Sequence, residues 1–263
     1  MRAAEVAFGG RGDALRLTTT LGGSMQPTPS GNAIEIVRAL AAELLCTWDG
    51  KECIEYLKKH DYHWRQMEWI GFYFEFRAKQ ILASTMGGGV GPTIGNVTID
   101  YAVRNEPWDF KAHPAKPEDG WMYLNDVEAV DTCTLHLGGI GWVIAVGRAL
   151  YDTDGSFKAW HDGLKGRRSR YEVERIARGA PSRRRKRSFE CTHFVVAKVS
   201  TPEGIRGAIQ DKLLTAGMQS GQRNSNGRPR RAKYGIHMTR AEAALGGRHM
   251  LVFRYPPSGG TSS

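Results

Sequence analysis

Apolar and polar residues follow two different periods along this chain, and the period changes across the glycine cluster GGGVGP at 87–92. Before the cluster, apolar residues recur at helical spacing in AIEIVRALAAELL, which predicts a helix from residue 32. A second helix is expected over 51–60, and a third, rich in aromatic residues, over 62–82. After the glycines the period falls to two. TIGNVTIDYAV reads as a strand, RNEP as a tight turn and WDFKAH as the returning strand, a hairpin over 94–113. Residues 125–137 predict a helix with Asn125 as its cap and Gly138-Gly139 as its stop. GWVIAVGRALY and CTHFVVAKVS are apolar enough for buried strands, with short surface helices expected between them at 155–166 and 171–178. A helix over 203–216 and a last strand, HMLVFRY, complete the pattern. The order predicts an α/β fold with a mixed central β-sheet flanked by helices, in one domain over 32–263. Residues 1–31 are rich in Gly, Thr, Ser and Pro without periodicity, and a disordered leader is expected there.

Composition narrows the function classes. GWVIAVGRAL is interrupted by Arg148 before it reaches the length of a membrane span, and residues 1–29 lack the apolar core of a signal peptide. A cytoplasmic protein with no membrane partner is the expectation. Four cysteines without a CxxC pair, and eight histidines without HxH or HExxH, disfavour a structural zinc site, a disulfide scaffold and a zinc hydrolase. No phosphate-binding Walker loop is present, so no nucleotide cofactor is expected. DTDG at 152–155 lacks the remaining ligands of a calcium loop and reads as a turn with a helix cap.

Thirty-seven basic residues against 27 acidic ones give a net charge of +10, and the excess is uneven. It concentrates over 167–187 and 223–233, as expected of a protein that binds a phosphate backbone. In the first segment Arg183, Arg184, Arg185 and Lys186 are candidate phosphate contacts, placed by the strand that follows them on a rim near the cleft. In the second, Arg223, Asn224, Asn226, Arg228, Arg230, Arg231 and Lys233 mix the side chains that read guanine and adenine in the major groove.

The hairpin carries the chemistry. Asp100 lies toward the end of its first strand; Asp109 and Lys111, two apart on the second, project to one face. Folding the strands together sets two carboxylates and an amine side by side among aromatic neighbours, an arrangement that is costly unless a cation relieves it. Mg²⁺, which prefers hard oxygen ligands, suits Asp100, Asp109 and the backbone carbonyl of Phe110. Lys111 would steady the charge growing on a reacting phosphate, or act as a base if its pKa were strongly lowered.

Asp100, eight intervening residues and then Asp109-Phe110-Lys111 resemble the signature of the PD-(D/E)XK nuclease superfamily, in a setting most like a type II restriction endonuclease. Ile99 stands where the signature's name has Pro, and Asp109 where Glu is frequent. The resemblance implies a restriction-endonuclease-like core over about half the chain and Mg²⁺-dependent hydrolysis of double-stranded DNA. It also implies an acid on the preceding helix, either Glu75, which is preferred, or Glu68. A palindromic target would call for a homodimer. His113, two residues beyond Lys111, is a polar neighbour of the same strand face. A repair or structure-selective nuclease, and a binding protein that uses these charges only as a network, stand as alternatives.

Overall fold

Three helices and a short strand open the chain: α1 (Gly31–Glu43), β1 (Thr47–Asp49), α2 (Gly50–Lys59) and α3 (Trp69–Thr85). Asp49 caps α2, its carboxylate accepting from the Lys51 and Glu52 amides. The third helix starts later than its spacing predicts. Asp61 and His63 adopt left-handed backbone, with φ of 50° and 42°, and the Trp64 carbonyl bonds to the buried His161 ring, so this segment is turn rather than helix. The computed structural model describes residues 31–115, 120–166, 170–180, 184–223, 227–243 and 248–257. Residues 1–30 of the expected leader lie outside the described residues, as do Arg183, Asn224 and Asn226, whereas Gly31 already belongs to α1.

The strand expected from residue 93 is three pieces: β2 (Thr93–Ile94), β3 (Val97–Thr98) and β4 (Tyr101–Val103). Gly95-Asn96, a two-residue turn inside the apolar pattern, folds β2 onto β3. Arg104 and Asn105 make the predicted second turn, with φ of 50° and 67°, into β5 (Glu106–Pro114). Two positive φ values give the twist a two-residue hairpin needs. Then come β6 (Trp121–Asp126) and α4 (Val127–His136), so Asn125 belongs to a strand and is not the helix cap. The predicted stop holds: Gly138 and Gly139 are both left-handed.

β7 (Ile140–Tyr151), α5 (Ser156–Lys165), α6 (Arg170–Ala177) and β8 (Lys186–Val199) follow, the DTDG segment capping α5 through Asp152 and Asp154. The helix expected over 203–216 divides into α7 (Pro202–Gln210) and β9 (Leu214–Met218), with left-handed Lys212 between them. β10 (Lys233–His237), α8 (Met238–Ala243) and β11 (Leu251–Tyr255) close the described chain.

The central sheet is mixed and flanked by helices, as expected. β8 is its axis, with β7 antiparallel along one edge and β1 and β11 sharing the other. β5 runs parallel to β7, and β4 forms the outer edge against β5. One face packs Phe110, Val143 and Val196 under α1, α2 and α3; the other packs Trp142, Ile144 and Val195 under α4, α7 and a small sheet of order β6-β10-β9. Among the described residues no helix is long and apolar enough to cross a membrane.

Gly141 lies opposite Trp108 in the parallel pair, and a Cβ there would come within 2.3 Å of the indole ring. Gly141→Ala is therefore expected to destabilise the fold by about 1–3 kcal/mol through overpacking. The midpoint of urea unfolding reads this; an unchanged midpoint would mean that Trp108 has room to move.

Candidate active site

β4 pairs with β5 for only three residues, Tyr101 to Val103, and Asp100, just before them, lies outside the ladder. Continuing the register would set Asp100 opposite Asp109. Instead the Asp100 carboxylate turns back to β5 and accepts the amide N–H of Phe110 at 2.8 Å. In extended backbone the N–H and C=O of one residue leave on the same side, so the Phe110 carbonyl also faces the edge where Asp100 sits.

Asp109 is 2 % exposed, a carboxylate almost wholly removed from water. Its Oδ2 pairs with the Lys111 amine, and its Oδ1 accepts from Asn125 Nδ2 at 2.7 Å. The Asn125 Oδ1 in turn accepts from the Trp142 indole N–H at 2.8 Å, which fixes the amide's orientation. Asn125 reaches inward because the β6–β10 pairing slips between Tyr123 and Asp126, so Leu124 and Asn125 are both buried. Such bulges re-aim side chains beside functional sites. Spacing alone gave Asn125 a helix-capping role; the tertiary signal that assigns it to Asp109 is not in the local sequence.

From the opposite side of the edge, α3 contributes Glu75 and Lys79. Glu75 is 17 % exposed, accepts from the Tyr62 hydroxyl, and pairs with Lys79 at 2.5 Å; Lys79 lies 4.0 Å from Asp100 Oδ1. Glu68 is exposed at the start of α3, so of the two candidate acids only Glu75 joins the cluster. His113 is buried farther along β5. Asp100, Asp109, Lys111 and Glu75, expected together, do come together.

The electrostatics show what the arrangement lacks. With every group ionised, three carboxylates would face two amines, a net charge of minus one in a partly dry site, and Asp100 relieves it by holding its proton. Burial, followed by the charges of Asp109 and Glu75, pushes the Asp100 carboxyl up to about 8 despite Lys111 and the Phe110 amide. Burial pulls the Lys111 amine down, but Asp109 and Asp100 outweigh it and hold the amine above its usual value. Lys111 thus holds its proton more tightly than a free amine, which favours the charge-stabilising role over that of a base. On α4, burial and the nearby Asp109 raise the Cys133 thiol to about 11, so it is no nucleophile.

Among the described residues no group of three or more His, Cys, Asp or Glu side chains is arranged to hold a metal ion. Mg²⁺ does not require one: it is commonly bound through one or two carboxylates and keeps several waters. Asp100, Asp109 and the Phe110 carbonyl would make such a sparse donor set, and a divalent cation would relieve the crowding that raises the Asp100 carboxyl.

The basic segments divide. Arg231 Nε lies 2.7 Å and Lys233 Nζ 3.0 Å from the two oxygens of buried Asp126, the residue after Asn125. Asp126, Gln219, Arg230, Arg231 and Lys233 line a cavity of about 160 Å³. Arg223 is tied to the Gly227 carbonyl, and Arg228 and Arg230 are exposed. Of the other segment, the described residues leading into β8, Arg184 to Arg187, are not near the cleft. β8 begins at Lys186, opposite Tyr151, whereas Asp109 lies opposite Trp142. Nine residues of strand separate those levels, roughly 30 Å. The strand is longer than its apolar part, and that carries the basic run to the far end. Arg185 is buried with its guanidinium on Asp162 at 2.9 Å, so it is not a surface phosphate contact; Arg184 is exposed.

No protein-family model, curated protein or solved structure matches the chain.

Asp100 holds its proton more tightly in the fold than in the unfolded chain, where a carboxyl titrates near about 4. Its ionisation therefore removes stability as pH rises from about 4 to about 8. Asp100→Asn escapes that loss. Without divalent cations its stability advantage over the parent is expected to grow across this window and level off above it. Thermal unfolding in chelating buffer checks this, and an advantage that shrinks with pH would contradict the crowding of like charges.

Proposed function

We propose that the chain is a Mg²⁺-dependent endonuclease that hydrolyses phosphodiester bonds of double-stranded DNA, with the specificity of a type II restriction enzyme. One observation carries the reading: Asp100, Asp109, Lys111 and Glu75 converge at one sheet edge, where crowding among the acids raises the Asp100 carboxyl to about 8. The resemblance of Asp100 and Asp109-Phe110-Lys111 to the PD-(D/E)XK signature supports the same chemistry.

Asp100, Asp109 and the Phe110 carbonyl would hold the ion. When bound, Mg²⁺ polarises a phosphoryl oxygen and eases deprotonation of a water. The chain's own groups do the rest. Asn125 keeps the Asp109 carboxylate in one orientation through the Trp142 hydrogen bond. Glu75 and Lys79 on α3, with Tyr62 from the turn before it, buttress Asp100. Lys111 places a lasting positive charge beside the acids, suited to the negative charge that builds on the reacting phosphorus. The loop between β9 and β10 supplies Arg223, Arg228, Arg230, Arg231 and Lys233 for the DNA, anchored on Asp126 next to the residue that orients Asp109. Two copies about a two-fold axis would match a palindromic target.

Supercoiled plasmid digested with Mg²⁺ is expected to give discrete bands. Asp109→Ala should abolish cutting, and Lys111→Ala should slow it by about 100- to 1000-fold, while both keep salt-sensitive DNA binding. Cutting by Asp109→Ala at the parent rate would refute the assignment, and a shifted but uncut plasmid with the parent would refute the nuclease reading.

A further inference from the structure

The small β6-β10-β9 sheet buries one face and shows the other to solvent. Met122, Leu124, Ile236 and Leu214 pack toward the central sheet. On the outer face Trp121 is 39 % and Tyr123 46 % exposed, opposite His237 and Gly235 on β10. The His237 ring meets Trp121 edge-on at 4.9 Å and steadies the indole. Gly235 leaves the space that the Met218 thioether fills; a Cβ there would lie 1.9 Å from its sulfur. Lys233 follows on the same face of β10, with Arg231, 54 % exposed, beside it. Lys233 and Arg231 share the single carboxylate of Asp126, and exposed Arg230 adds a further positive charge.

Exposed aromatic rings beside an excess of cations form a surface that recognises nucleobases and their phosphates together. We propose that this face binds unpaired bases of a DNA strand, one stacked on Trp121 and one on Tyr123, with the phosphates running toward Arg230, Arg231 and Lys233. The spacing selects the form of the ligand. Side chains two apart on a strand stand about 6.7 Å from each other, about twice the 3.4 Å rise of a stacked strand. Neighbouring bases reach both rings only when drawn out of their stack, and a duplex offers its base edges, not its base faces. A second copy of the chain fits less well, because a stable interface needs about 800 Å² per partner, far more than two rings, and like-charged loops would be brought together. The inference rests on the reading of this chain as a DNA-handling protein but does not require hydrolysis.

The test uses the full chain in chelating buffer, with fluorescence anisotropy of a labelled oligothymidine and of a duplex of equal length. The double variant Trp121→Ala/Tyr123→Ala is expected to bind the single strand at least about tenfold more weakly. Its dependence on salt should be unchanged, and its duplex affinity should stay within about twofold. Trp121→Phe/Tyr123→Phe, which keeps the rings, should retain most of the affinity, and the Tyr123→Ala single variant gives the same reading should the double variant unfold. Arg231→Ala should lower the slope of log affinity against log salt by about one. Equal losses for single strand and duplex would overturn the proposal. So would parent-like binding by the double variant, including the case where the variant only turns a dimer into a monomer. The plasmid digest separates the two readings. A chain that cuts but binds independently of these rings refutes this face alone, and one that binds through them but never cuts refutes the nuclease alone.

Discussion

The hydrogen bond from the Phe110 amide to the Asp100 carboxylate is the constraint around which this molecule is arranged. β4 joins the sheet only at Tyr101, and β5 beyond Trp108 would be left with an open edge. Buried backbone donors need partners, and here a side chain takes the place of the missing strand. The choice of a carboxylate for that task has further effects. It sets a second acid beside Asp109 and draws Glu75 and Lys79 over from α3. Grouped acids removed from water are unfavourable for stability. A crowded acid at a sheet edge with strongly shifted protonation is what the proposed chemistry would require there.

The cluster stays ordered because rigid elements hold it from both sides of the sheet. The parallel pairing of β5 with β7 fixes Asp109 beside Trp142 and Lys111 beside Ile144. Trp142 then orients Asn125, and Asn125 orients Asp109. On the other side Tyr62, from the turn before α3, hydrogen-bonds with Glu75 and Lys79 on the helix, and Lys79 makes an ion pair with Asp100 at 4.0 Å. Phe110 and Phe74 meet edge-on at 5.9 Å beneath it, joining the strand to the helix through the core. Every group with a proposed chemical role is thus backed by a packed partner.

The elements legible in the sequence were those whose period is unbroken. The central strands, the helices α1, α2, α5 and α6 and the Arg104-Asn105 hairpin follow from spacing and turn chemistry, and the same hairpin led to Asp100, Asp109 and Lys111. Glu75 was visible as a lone acid among aromatic residues. Other features were hidden for definite reasons. Gly95-Asn96 is a good turn sequence, but it sits within an alternation that continues on both sides and so read as one strand. Asn125-Asp126 before an apolar run is a helix-start signal, and only pairing with β10 reveals the strand and its bulge. β9 and β10 are short and separated by a long polar loop, so neither carries enough periodicity to announce itself. The burial of Arg185 was not readable either, because its partner Asp162 belongs to a helix distant in the sequence.

The loop between β9 and β10 begins and ends on neighbouring strands of one sheet, with Lys233 paired to Met218 across its base. A loop closed in this way can lengthen or shorten at small entropic cost, about 0.6 kcal/mol for each doubling. Its foot is fastened to Asp126 while the acidic edge is built from other parts of the chain. Changes of length and sequence in the loop beyond Arg231 and Lys233 therefore leave the acidic cluster where it is. If the loop grips the proposed DNA, such a division would let what is gripped change over evolutionary time while the acidic edge is inherited unaltered.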